Sequence, residues 1–135
     1  MIHYIESING VGVEHLRGGF FYKWPNPPTP ENHLRILRGS DVVVLAREAD
    51  DNIVGFITAV SDGVSCAYIP HLEVLRAYQG NGIGTELMQR MLAKLRHLYM
   101  VDLVCDLSVR TFYDRLGMRA VVGMVARNYD RQACE

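Results

Sequence analysis

Neither charge dominates this chain. Lys and Arg total 14 and Asp and Glu total 15, a net charge of −1. A general nucleic-acid or anionic-membrane binder carries a basic excess, so neither partner is expected. Cysteine is scarce. Cys66, Cys105 and Cys134 are an odd number at irregular spacing, with no CxxC and no HxxxH. A disulfide framework and a zinc site are both poorly supported; no metal is expected, the three are read as reduced thiols, and Cys66 and Cys105 as inert packing ones. Long apolar runs are missing too. The longest aliphatic stretch, Val42 to Ala46, is far too short to span a bilayer. Met1 to Glu6 lacks the basic flank and apolar run of a secretory signal, so the expected location is the cytoplasm.

What is present is an ordinary globular composition, 49% apolar and 21% charged in 15.3 kDa. Surface scaling gives about 22,000 Å² for the unfolded chain and about 7,000 Å² for a compact folded one, enough burial for one core. A single domain over residues 1–135 is expected.

The punctuation is clear in places. Ile2 to Ser7 reads as a short strand, with Asn9-Gly10 as a turn. Trp24 to Pro30 holds four of the five prolines and reads as a stiff loop. Thr29 before Pro30-Glu31 predicts an N-cap, and a short helix then runs to Gly39. Val42 to Arg47 and Ile53 to Val60 read as a hairpin about Asp50-Asp51-Asn52, and Ala67 to Leu75 as a third strand. Pro70 inside that strand predicts a bulge or a side without pairing. Ile83 to His97 carries Ile83, Leu87, Met88, Met91, Leu92 and Leu95 in helical phase. Met100 to Cys105 reads as a strand, Ser108 to Leu116 as a short helix stopped by Gly117, and Val121 to Arg127 as a last strand. Three strands precede the long helix, so the expected fold is α+β, a mixed, mostly antiparallel sheet with helices on both faces.

One segment carries chemistry: Leu72-Glu73-Val74-Leu75-Arg76-Ala77-Tyr78-Gln79-Gly80-Asn81-Gly82-Ile83-Gly84-Thr85. A strand runs into a glycine-rich turn that opens a long helix. The first amides of a helix lack internal acceptors and point outward with partial positive charge. Glycine lets an anion approach the main chain closely. A phosphate or pyrophosphate is the expected ligand. No Lys-Ser/Thr pair follows the last glycine, which excludes a P-loop, and Thr85 stands where a dinucleotide fingerprint needs glycine. A strand-to-helix turn that binds nothing has the same outline.

Gln79-x-x-Gly82-x-Gly84 resembles the Q/R-x-x-G-x-G/A motif of the GNAT family of N-acetyltransferases. Downstream, Asp106-x-x-Val109-x-x-Phe112-Tyr113-x-x-Leu116-Gly117-Met118 resembles that family's N-x-x-A-x-x-F-Y-x-x-x-G-F segment. The resemblance covers Val42 to Met118 well and the first forty residues weakly. It implies the family's fold, in which the middle strands splay, and transfer of an acetyl group from acetyl-CoA to an amine of a small molecule or protein. By the same resemblance the amides of Gly80, Asn81, Gly82, Ile83, Gly84 and Thr85 would hold the pyrophosphate. The edge at Leu72, Glu73 and Val74 would pair with pantetheine, and Tyr113 would protonate the departing thiolate. Gln79 and Asp106 are further candidates for cofactor contact. Gln79 replaces the commoner Arg, and Asp106 replaces an Asn and so lacks its amide donor.

Glu73 is the candidate base, because a charged amine must lose a proton before it attacks. His71, two residues earlier, is its rival. Phe20, Phe21, Tyr22, Trp24, Glu31 and His33 lie in the segment that covers the acceptor in the family, and core packing accounts for most of the aromatics equally well. A non-catalytic acetyl-CoA-binding module of the same fold is the alternative function, and a homodimer is left open.

Overall fold

The structure, a computed structural model, describes residues 1–135. Five strands, β1 (His3–Ile5), β2 (Val42–Arg47), β3 (Ile53–Ser61), β4 (Cys66–Val74) and β5 (Met100–Asp102), form one sheet in that order. The first three pairings are antiparallel and β4–β5 is parallel. Three helices accompany them: α1 (Pro30–Gly39), α2 (Ile83–Lys94) and α3 (Arg110–Asp114).

Local chemistry sets several boundaries. Thr29 accepts the Asn32 N–H at 3.1 Å, so α1 starts at Pro30 as its cap dictates. Both faces of the sheet are covered, which is why β2 reads as an unbroken apolar run. Val44, Ala46 and Ile57 pack with Leu87, Met88 and Met91 of α2. Val43, Leu45 and Phe56 pack on the other face with Leu34 and Leu37 of α1 and with Leu16, Phe20 and Phe21 of the preceding loop. Gly55 of β3 is a true close approach. A Cβ there would stand 3.1 Å from Leu87 Cδ1, so glycine lets the first turns of α2 settle onto the sheet.

Pro70 does what its chemistry predicts. The β3–β4 register shifts between the Thr58–His71 and Val60–Tyr68 pairs, opposite Ile69 and Pro70. The shift inverts the facing of everything after it. Ala67 and Ile69 face α2, and so do Leu72 and Val74. The intervening parity change turns His71 and Glu73 toward the α1 face.

Two expected strands differ. β5 ends at Asp102, not Cys105, and pairs only with Cys66–Tyr68 of β4. Val121 to Arg127 is not a strand at all; it runs exposed, with no sheet partner. A strand is defined by its neighbour, and within one chain neither stretch has one there. The long helix also closes earlier than its apolar phase suggests, at Lys94.

Candidate active site

The site forms where β4 leaves the sheet. β5 stops pairing at the Tyr68–Asp102 rung, so the far half of β4 has β3 on one side and an opening on the other. Leu75 N–H donates to Val54 O at 2.8 Å on the β3 side. By antiparallel alternation, the main-chain groups of Leu72 and Val74 then point toward the opening. The Val74 carbonyl is already engaged. Gln79 Nε2 donates to it at 2.9 Å, folding the glycine turn back against the strand end. Gln79 is thus a clamp on the turn.

The turn itself meets the requirement for anion binding. Gly80 and Gly82 have φ of 81°, and a Cβ at either would meet nothing within 4 Å. Their backbone is left-handed, which explains glycine there, and the space beside them is open. Every main-chain N–H from Gly80 through Thr85 lacks an acceptor within the chain, and Gly82 as N-cap offers no side chain to supply one. The Gly82 carbonyl accepts the Glu86 N–H, starting the helix. A row of unpaired donors at the positive end of a twelve-residue helix remains. Asn81 turns its side-chain amide back to the Tyr78 carbonyl at 3.2 Å.

α3 brings Tyr113 beside β5 and Tyr68 of β4. Phe112 packs edge-on against Tyr113 at 4.9 Å and lies near Gly84 and Val74, which docks α3 on the first turn of α2. Tyr113, Cys105 and Tyr68 line one cavity of about 560 Å³. Burial pushes the Tyr113 phenol above its ordinary pKa, and the neighbouring Cys105 adds to the rise. The phenol therefore keeps its proton at neutral pH. Cys105 corrects the packing-thiol expectation: it is exposed, while Cys66 is half-buried near Asp62. Asp106 caps the turn before α3 by position, but its carboxylate makes no capping bond.

Glu73 lies on the other face and is occupied. Its carboxylate accepts the Phe21 N–H at 2.8 and 3.0 Å and the Tyr22 N–H at 3.5 Å. Burial pushes its pKa up, and these amides oppose the rise. Phe21 and Lys23 have φ of 62° and 67°, a costly conformation for residues with a Cβ. Glu73 holds that bend in place. Beside it His71 packs among Phe21, Trp24 and Phe56, with burial lowering its pKa. His33 is 1% exposed between Phe20, Phe21 and Phe56. Burial, then the charge of His71, lowers its pKa to about 4. Both imidazoles are neutral at pH 7. Sequence reasoning placed Glu73 and His71 on one face but missed their partner, because Phe21 is 52 positions away. Glu31 is exposed on α1 and pairs loosely with Arg17.

No helix is long and apolar enough to cross a membrane. The family model for the acetyltransferase (GNAT) family matches residues 12–118. A crystal structure of a candidate acetyltransferase from Deinococcus radiodurans R1 is 49% identical, with a TM-score of 0.95 over 98% of this chain and 92% of that one. A GNAT family acetyltransferase from Streptococcus pneumoniae TIGR4 is 30% identical, with a TM-score of 0.76 over 95% of this chain and 98% of that one. The glucosamine-6-phosphate N-acetyltransferase of Arabidopsis thaliana shares the fold at 16% identity, with a TM-score of 0.70 over 96% and 99% of the two chains. No curated protein sequence matches. The unpaired amides of the glycine turn, the half-open β4 and the family match agree: this chain belongs to the GNAT family of acetyltransferases.

Proposed function

We propose that the protein transfers an acetyl group from acetyl-CoA to a primary amine by direct attack. The observation that carries this reading is the row of acceptor-less amides from Gly80 through Thr85 beside the open edge of β4. A diphosphate fits that row, because the donors are main-chain N–H groups and nothing fills the space over Gly80 and Gly82. With the diphosphate held there, the open edge at Leu72, Glu73 and Val74 is the natural track for the amide-rich pantetheine arm. An N–H on that edge can also donate to the thioester oxygen as charge grows on it. Gln79 contributes by clamping the turn, and Asp106 sits at the mouth where it could accept a hydrogen bond.

In the proposed step the amine nitrogen forms a bond to the acetyl carbon and the carbon–sulfur bond breaks. The electron pair leaves on sulfur, and the Tyr113 phenol gives that sulfur a proton. A phenol of pKa about 10 or more is protonated at pH 7, and a thiolate of pKa about 8.5 can accept from it at close range as chemistry proceeds, with solvent restoring the phenol. The amine proton leaves toward the Glu73 and His71 side. Of these, His71 carries a free lone pair at neutral pH, whereas both Glu73 oxygens already accept from Phe21. The face around them, with Phe21, Trp24 and two neutral imidazoles, suits an uncharged amine with an apolar body.

The test is release of free thiol from acetyl-CoA with a panel of small amines and amine-bearing peptides, run beside Tyr113→Phe. Turnover by the wild type that falls in the variant with CoA affinity preserved supports the reading. Tight CoA binding with no thiol release against any amine favours the binding module instead. Absence of CoA binding overturns both.

A further inference from the structure

The segment that carries Trp24 to the site has little with which to fasten itself. Four of the seven residues from Trp24 to Pro30 are proline, and proline has no N–H to donate. Main-chain donors remain at Trp24, Asn26 and Thr29. Trp24 N–H turns back to the Phe21 carbonyl at 3.2 Å. At one end of the segment Glu73 holds Phe21 and Tyr22. At the other end Thr29 caps α1. Between them the chain is stiff, because proline fixes φ and favours an extended course. Its middle is anchored from far along the sequence. Asn26 N–H donates to Gln132 Oε1 at 2.9 Å, across 106 positions.

Gln132 is itself held. Residues 128–134 fold into a compact turn, in which Arg131 N–H donates to Asn128 O and Cys134 N–H to Arg131 O, both at 2.9 Å. Two side chains of α1 fasten that turn. Asn32 Nδ2 donates to Ala133 O at 3.2 Å. Arg35 Nη1 donates to Cys134 O at 3.4 Å and to Asn32 Oδ1 at 2.8 Å. Gln132 and Ala133 are half-buried, whereas Asp130 and Arg131 beside them are exposed. Helix α1 thus grips the turn, and the turn grips the proline loop. What the loop carries is Trp24, whose ring lies 4.9 Å from Phe21 and 6.2 Å from His71. Trp24 is 37% exposed, which makes it the outer wall of the His71 face.

The geometry points to Gln132 as a positioning residue for the amine acceptor: by pinning Asn26 it sets where Trp24 stands beside His71, and so which amines the site admits. A stiff segment pinned at its middle cannot swing, and Trp24 is two residues from the pin. Once released, the same segment pivots on its two ends and carries the indole away from His71. Acceptor choice is then set in part by the turn at residues 128–134, through a hydrogen bond rather than through contact with the amine. The acceptor role rests on the acetyl-transfer reading; the clasp between Gln132 and Asn26 does not.

Trp24 is the chain's only tryptophan, so its fluorescence reads the clasp without any turnover. The experiment compares the wild type with Gln132→Ala and with Gln132→Glu, which keeps an acceptor oxygen. Gln132→Ala should shift the Trp24 emission to longer wavelength and open it to quenching by acrylamide. In the thiol-release assay its KM for the amine should rise about threefold to tenfold, the range for one lost hydrogen bond, while KM for acetyl-CoA stays as in the wild type. Gln132→Glu should restore both signals. Emission and quenching that do not move in Gln132→Ala overturn the clasp. An indole that moves while the amine KM stays fixed overturns the positioning role, and so does a Gln132→Glu variant that behaves like Gln132→Ala. A wild type that binds CoA but acetylates no amine sinks the acetyl-transfer reading instead, and the fluorescence then upholds or sinks the clasp by itself.

Discussion

The carboxylate of Glu73 accepts the main-chain N–H of Phe21 from across the fold, at 2.8 and 3.0 Å. The charge on β4 thereby fixes the loop that walls the α1 side of the site. Glu73→Ala removes the acceptor from a bend whose Phe21 φ of 62° is already strained. A hydrogen bond to a charged group contributes about 1.5–3 kcal/mol, so denaturant unfolding should show a loss of that order. Glu73→Gln keeps one acceptor oxygen and should lose less. Equal stability of wild type and Glu73→Ala would show that the loop holds itself.

His33 predicts a pH dependence of stability. Its ordinary pKa of 6.5 is lowered to about 4 in the folded chain, so between those values the unfolded chain binds the extra proton. Stability is therefore complete above pH 6.5 and drains away as pH falls toward 4. The full loss is on the order of 3 kcal/mol from this site. His71, lowered in the same direction by burial, adds a smaller slope of the same sign. His33→Phe, among three phenylalanines, should flatten most of the dependence in urea titrations across this range. A variant with an unchanged slope would clear His33 of responsibility.

Gly82→Ala puts a Cβ on a residue with φ of 81° and into the open space over the turn. The strain costs roughly 1–2 kcal/mol of stability. The methyl also stands where a phosphate would approach. CoA affinity, measured by calorimetry or by thermal shift, should fall at least tenfold. Unchanged affinity would remove the turn from the binding site.

Tyr113→Phe keeps the ring that packs on Phe112 and deletes the proton. Loss of a general acid lowers turnover by about 10²–10⁴. KM for acetyl-CoA should move little. A drop confined to KM would make Tyr113 a binding residue.

Cys105 is exposed and lines the Tyr113 cavity. Alkylation should block turnover, bound CoA should slow the reaction, and Cys105→Ser should be active and resistant. Inhibition that persists in Cys105→Ser would trace to Cys134, the other exposed thiol.

The amino-acid sequence alone determined whatever depends on neighbours a few residues apart. Thr29 and Pro30 start α1, Gly80 and Gly82 permit the left-handed turn, the apolar phase of Ile83 to Met91 makes α2, and Pro70 shifts the β4 register. Each is a local steric or capping effect, readable in a short window. The tertiary structure decided what needs a distant partner. β5 is short because β4 diverges from it, Glu73 serves Phe21 because the sheet brings the loop against it, and Val121 to Arg127 has strand composition but no strand beside it. A turn or cap is satisfied by its own segment, whereas a ladder, a half-buried carboxylate held by a distant loop and a splayed edge exist only once separate segments meet.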